Sequence, residues 1–320
     1  MRSTRPEASA LAWADSAGAT LPLVETELEI VSRLARVKVT SGGWLRHSTS
    51  CHAPTARARS SNNGMRIFIG FTSQYSAFRR TGSNFMKALV LSGGGLFGAW
   101  QAGVWSVLED EFGPDLIVGA SIGSVNGYLM ACGVSGPELV EMWRDPEFRN
   151  FGEFENTLQN LTRRYTLRRP FALTVTDILT MTPRTYRDGE ITWRHIAASC
   201  AVPPVMPQIY LDGRWYTDGG LLNPLPVWAA TELGATEIVG LNVLGTFPSA
   251  LLGPLVRGFR WVFGHQPELP GEVRLVTREP SERLGGLVET LWGTQGDVER
   301  WLALGARDAA GWAGQKPFPL

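Results

Sequence analysis

The chain has 320 residues, 44% of them hydrophobic, enough for one large or two modest domains with a sizeable core. Thirty basic and thirty acidic side chains cancel, so composition gives no argument for a nucleic-acid or acidic partner. Three cysteines (Cys51, Cys132, Cys200) lack metal-ligand spacing, which argues against a zinc site or disulfide framework and for a reducing, cytoplasmic setting. No apolar run reaches the roughly 18 residues of a transmembrane helix.

Charge is unevenly spread along the chain. Residues 1–85 hold eleven Lys and Arg against five Asp and Glu, a net of +6; residues 86–320 hold nineteen against twenty-five, a net of −6. Such asymmetry marks a tail of different character. Ser48–Gly64 is almost free of large apolar residues and is expected to be disordered. There is no basic-then-apolar secretory pattern, and Glu25, Glu27 and Glu29 argue against a transit peptide. The expectation is therefore a disordered or weakly structured extension over 1–85 and one domain over 86–320. The functional protein is expected to begin near Met65 or Met86.

From Met86 the pattern sharpens. Lys87–Ser92 reads as a strand and leads into Gly93-Gly94-Gly95-Leu96-Phe97-Gly98. Trp100, Val104, Val107, Leu108 and Phe112 then share one helical face. A strand at Asp115–Val118 runs into Gly119-Ala120-Ser121-Ile122-Gly123 and a helix to Cys132. This βαβα order implies a parallel sheet with helices on both faces. Pro137–Arg144 reads as helix; Phe148–Arg169 shows no clear period and is expected to be a mobile surface segment. Phe171–Val175 reads as a strand and Ile191–Cys200 as a helix. Pro203, Pro204 and Pro207 force an extended path. Ile209–Leu211 and Arg214–Tyr216 flank Asp212-Gly213, a hairpin signal, followed by Thr217-Asp218-Gly219-Gly220. Asn223–Leu233 reads as helix, Glu237–Val243 as a buried strand and Val298–Trp312 as a final helix. Leu251–Phe263 has an apolar face beside Arg257 and Arg260; with Trp261 it suits either a membrane surface or the core.

Three of these motifs carry chemistry. A serine between glycines, after a strand and before a helix, has the form of a nucleophile elbow. The bland alternative is a tight turn whose serine caps a helix. The glycines at 93–95 let backbone N–H groups approach an anion, as an oxyanion hole requires. Gly93, Gly95 and Gly98 also fit a dinucleotide spacing, but the acidic residue about 20 positions on falls at Asp115, the start of the second strand and not its end. Loops at the carboxyl ends of neighbouring strands share one crevice, which would bring the glycines and Ser121 together. A base is then needed. His47 and His52 lie in the leader, His195 suits a surface or satisfied histidine, and His265 has the Ser-Asp-His chain order of a triad but ordinary loop neighbours. Asp218 remains, against its own bland alternative of an Asx turn.

Ser92–Gly98, Gly119–Gly123, Ala198-Ser199-Cys200-Ala201-Val202-Pro203-Pro204-Val205-Met206-Pro207 and Asp218-Gly219-Gly220, in that order, resemble the patatin-like phospholipases. The resemblance spans about residues 86–245. It implies a three-layer α/β/α sandwich with a mostly parallel central sheet. It also implies hydrolysis of fatty-acyl esters of lipids at a membrane surface by a Ser–Asp dyad, with no metal or other cofactor. Carried over, Ser121 is the nucleophile and Asp218 its base. The loop of Gly93, Gly94 and Gly95, with the amide of Ile122, forms the oxyanion hole; Gly98, Gly119, Gly123, Gly219 and Gly220 are the remaining motif glycines. One departure is Phe97, where the family's loop usually has Arg or Lys. A His265 triad esterase and a catalytically inactive lipid-binding protein stay open as alternatives.

Overall fold

The computed structural model describes residues 86–245 and 272–312; the leader and the 251–263 stretch, with His265, lie outside them. Strand β1 (Lys87–Leu91) shows how the layers arise. Alternate side chains of a strand face opposite ways. Leu89 and Leu91 join one hydrophobic cluster, Ala88 and Val90 another. With β2 (Leu116–Ala120) wholly buried, the sheet centre is apolar on both faces and has to be covered on both. Helices α1 (Gly98–Leu108) and α2 (Ile122–Ala131) contribute to the larger cluster, with α3 (Gly136–Arg144), α4 (Phe154–Arg164) and α5 (Trp193–Ser199). Helix α6 (Val227–Glu232) contributes to the other. Helices α7 (Leu287–Trp292) and α8 (Gln295–Trp312) end the described chain, α8 lying on the larger cluster through Val298, Trp301 and Leu302.

The remaining strands are β3 (Phe171–Asp177), β4 (Thr182–Arg187), β5 (Ile209–Leu211), β6 (Arg214–Thr217), β7 (Glu237–Leu241) and β8 (Arg274–Arg278). The sheet order is β5-β6-β3-β2-β1-β7-β8, with β4 also paired to β3. Strands β3, β2, β1, β7 and β8 run parallel; β4, β5 and β6 add an antiparallel margin. The architecture is the expected α/β/α sandwich with a mostly parallel sheet. Register places Leu91 beside Gly119 and Ala120 beside Thr174. The chain therefore leaves β1, β2 and β3 at one edge, where the glycine loop and the elbow follow.

The structure departs from the sequence reading in several places. The stretch 148–169 is not a loose surface segment: it contains α4, whose Phe154, Leu158 and Leu161 are buried at i, i+4 and i+7. The polar residues between them hide that stripe in sequence. Strands β4 and β8 and helix α7 were not legible. β4 alternates exposed and half-buried residues up to the buried Tyr186 and is held by antiparallel pairing with β3. Helix α6 begins at Val227, later than expected, because Pro224 and Pro226 lack the amide hydrogens of a regular helix. Phe97, where a basic residue was expected, is 2% exposed and packs edge-on against Trp301 of α8 at 5.1 Å. That position belongs to the core, and a charge there would be buried without a partner.

Candidate active site

Ser121 sits where β2 ends and α2 begins, with φ 52° and ψ −129°. Such a conformation is costly for a residue with a side chain and concentrates at functional sites. The surroundings hold it there. Its carbonyl accepts from the Ser124 amide (2.8 Å) and hydroxyl (2.6 Å), and its amide donates to Ser199 Oγ at 2.9 Å. The flanking glycines are sterically required: a methyl on Gly119 would lie 2.3 Å from the Gly123 carbonyl oxygen, and one on Gly123 2.5 Å from that of Leu91. The elbow is packed directly on β1.

Asp218 follows β6 and is 6% exposed. Its Oδ1 accepts from the Gly220 amide at 2.8 Å, the Asx turn that the sequence allowed. Its main chain is tied at both ends: the amide donates to the Ala201 carbonyl (3.1 Å) and the carbonyl accepts from Thr176 Oγ1 (2.9 Å). The elbow and the turn after Asp218 both come up against Gly93. A methyl on Gly93 would lie 3.0 Å from Ser121 Cβ and 3.8 Å from its Oγ; one on Gly220 would lie 3.2 Å from Asp218 Oδ1 and 3.8 Å from Gly93 Cα. Cys200 touches both sides of the cluster. Burial and the Asp218 charge push its thiol well above the usual range, while hydrogen bonds to the Ser124 and Ser121 side chains act the other way.

The three loop glycines are not equivalent. The Gly93 amide donates to the Pro224 carbonyl at 2.9 Å, so Gly93 is a spacer between Ser121 and Asp218 and not a donor into the site. The amides of Gly94, Gly95 and Ile122 donate to no acceptor among the described residues. A methyl on Gly98 would lie 2.7 Å from Ile122 and 2.8 Å from Trp143, so this motif glycine serves packing.

Three residues to which the sequence reading gave no role organise the site. Ser199, fully buried, accepts the Ser121 amide on its hydroxyl, and its own carbonyl accepts the Gly219 amide at 3.0 Å. One residue thus bridges the elbow and the Asp-Gly-Gly turn. Gln101 of α1 donates to the Ser92 carbonyl at 2.9 Å. Asn126 of α2 donates to the carbonyl of Gly98 (2.9 Å) and to Gln101 Oε1 (3.0 Å), and accepts from Trp143 Nε1 (2.9 Å). This network pins the ends of the glycine loop. The available signal was a polar residue inside an otherwise apolar helix, which has to be satisfied when buried.

His195 is occupied elsewhere. Its Nδ1 accepts from the Thr192 amide at 3.1 Å and its Nε2 lies 3.9 Å from Asp212 of the hairpin. Burial, partly offset by Asp212, lowers its pKa, keeping the ring neutral. It is the satisfied histidine that the sequence suggested.

A strained serine after a parallel strand and the turn that follows a buried aspartate both lie beside Gly93 of the glycine loop, and a family model described as Patatin-like phospholipase matches residues 89–191 and 155–231. Over residues 89–231 the chain is similar to the patatin-like phospholipases. "Patatin-like phospholipase domain-containing protein 6" of Mus musculus is 29% identical over 213 residues, covering 57% of this chain and 16% of that protein. "Lysophospholipase nte1" of Aspergillus terreus is 30% identical over 181 residues, 48% of this chain and 12% of its own length. The chain therefore spans about one sixth or less of these relatives. Among solved structures, VipD from Legionella pneumophila aligns over 72% of this chain and 66% of its own at 11% identity, with a TM-score of 0.45. The patatin-like region contains the glycine loop, the elbow and Asp218.

Proposed function

We propose that this protein is a serine acyl hydrolase that cleaves fatty-acyl esters of lipids through a Ser121–Asp218 dyad. The observation that carries this reading is the approach of Ser121 and of Gly220, in the turn after Asp218, to Gly93, with Ser199 bonded to both loops. Asp218 takes the hydroxyl proton as Ser121 Oγ attacks the ester carbonyl. The amides of Gly94, Gly95 and Ile122 stabilise the tetrahedral oxyanion, a contribution of about 100- to 1,000-fold per donor in related chemistry. The proton passes to the departing alcohol, and water activated by the same carboxylate then frees the acid. The relatives' names, lysophospholipase and phospholipase, point to a phospholipid or lysophospholipid ester.

Such a substrate is met at a membrane surface, with the protein cytoplasmic and peripheral. No helix among the described residues is long and apolar enough to cross a membrane. Leu179 (82% exposed), Trp215 (55%) and Tyr210 (51%) support surface contact, lying on the strands and turns that lead to Asp218. Trp and Tyr suit such an interface, being apolar in body and polar at the tip.

A fluorophosphonate probe tests the reading. The folded protein is expected to be labelled at Ser121, and Ser121→Ala to remain unlabelled and inactive on esters. Labelling that persists in Ser121→Ala, or fails in the native protein, would sink the hydrolase reading and favour an inactive lipid-binding protein. Ser199→Ala tests the bridge. It leaves the buried Ser121 amide without its acceptor, at about 1–3 kcal/mol. With the elbow loosened, kcat is expected to fall about tenfold or more while KM for a short ester changes little; Ser199→Thr, which keeps the hydroxyl, restores part of the loss.

A further inference from the structure

We propose that Asn126 is a positioning residue of the oxyanion hole: from α2 it holds the Gly98 carbonyl, and so fixes the loop amides of Gly94 and Gly95 relative to the amide of Ile122. This inference rests on the ester-hydrolase reading above and names a further residue on which that reaction depends. The three donors come from two segments. Gly94 and Gly95 follow β1, whereas Ile122 opens α2. Stabilising an oxyanion requires all of them to be aimed at one oxygen before the reaction starts. Something has to tie the two segments together.

Asn126 is placed for that. It lies at i+4 from Ile122 in α2, on the same helical face. Its side chain is fully buried, and Nδ2 donates to the Gly98 carbonyl at 2.9 Å and to Gln101 Oε1 at 3.0 Å. Gly98 is bonded back into the loop. Its amide donates to the Gly95 carbonyl, and the Phe97 amide donates to the Gly94 carbonyl at 3.2 Å. The Gly94 carbonyl and the Gly95 amide belong to one planar peptide group, so that bond sets the direction of the Gly95 N–H. Gln101, also fully buried, extends the tie to the start of the loop by donating to the Ser92 carbonyl at 2.9 Å.

The polarity of this chain is fixed at its far end. A side-chain amide could turn over and exchange its oxygen for its nitrogen, but an indole N–H only donates. Trp143 Nε1 donates to Asn126 Oδ1 at 2.9 Å, so Asn126 presents its NH2 to Gly98 and Gln101. Gln101 then has to offer its oxygen to Asn126 and its NH2 to Ser92. One buried donor on α3 thus orients both amides, and each end of the glycine loop is held by a donor from a helix.

The test is Asn126→Asp, which keeps the shape and the bond from Trp143 but supplies at most one O–H in place of two N–H donors. On p-nitrophenyl butyrate, kcat is expected to fall about 10- to 100-fold, as for misplaced catalytic groups, with KM within about twofold of wild type. A trifluoromethyl ketone supplies the readout that packing alone would not move. Ser121 Oγ adds to its carbonyl carbon, the hydroxyl proton passes to Asp218, and the former carbonyl oxygen becomes an oxyanion in the hole. Its Ki should weaken by the same factor as kcat/KM. Trp143→Phe leaves Asn126 in place but unlocks its orientation. It should show the same parallel at a smaller loss, and it carries the test if Asn126→Asp does not fold. Folded variants whose kcat and Ki both stay within about twofold of wild type would overturn the assignment, as would a loss of kcat that Ki does not follow. The hydrolase reading would stand in either case. If the wild-type protein hydrolyses no ester and Ser121 takes no fluorophosphonate, both fall.

Discussion

Asp218→Asn is expected to lower kcat by about 100- to 10,000-fold, with KM and thermal stability close to wild type. The reasoning separates the proton from the scaffold. An asparagine at this position still offers Oδ1 to the Gly220 amide, and the main-chain bonds of residue 218 to Ala201 and Thr176 are untouched. What is lost is the carboxylate proposed above to accept the Ser121 proton. Steady-state kinetics on a short ester, with a thermal melt of each protein, makes the comparison. The partner experiment is His265→Ala, which should retain near-full turnover. The reverse pattern, a tolerant Asp218→Asn and a dead His265→Ala, would replace the dyad by a conventional triad.

Gly219→Ala is expected to destabilise the fold by about 3 kcal/mol or more, a severe effect for one methyl group. A Cβ there would lie 1.9 Å from the Thr174 carbonyl oxygen and 2.6 Å from its carbon. These are backbone atoms of β3, a strand buried along its whole length and paired with β2, so they cannot retreat as a flexible side chain would. The Asp-Gly-Gly turn has to move, breaking the bond from the Gly219 amide to Ser199 and shifting Asp218 from the elbow. For a domain of this size, 3 kcal/mol corresponds to a drop of roughly 6–12 °C in melting temperature. Gly113→Ala, with no atom within 4 Å of the added carbon, is the control and should melt with the wild type. If Gly219→Ala melts with the control and keeps its turnover, the turn has slack that the packing does not allow.

Much of the site was legible because turn chemistry is local. Gly119 to Gly123 encode a strand that bends sharply into a helix within five residues, and that geometry needs no distant partner to be recognised. The hairpin at Asp212-Gly213 was legible for the same reason, and both residues take the positive φ that such a turn demands. The order of strand, loop and helix from Lys87 to Ala131 was enough to imply a parallel sheet. Helix α4 was not legible, since its three buried residues are spread among polar ones and their burial depends on α2 and α5 being in place.

By itself, the sequence determined the elbow at Ser121, the glycine loop at 93–95 and the Asp-Gly-Gly turn at 218–220, because each is a short-range backbone requirement met by residue type. Only the tertiary structure decided that one loop amide is already taken: Gly93 spends its own on Pro224, more than a hundred residues away. It alone decided that Phe97 belongs to the core under Trp301, and that Ser199 joins the nucleophile's amide to the turn after Asp218. The physical reason is the same in each case: hydrogen-bond partners and buried neighbours are supplied by segments far apart in the chain, and they come together only when the sheet has brought its strand ends to one edge.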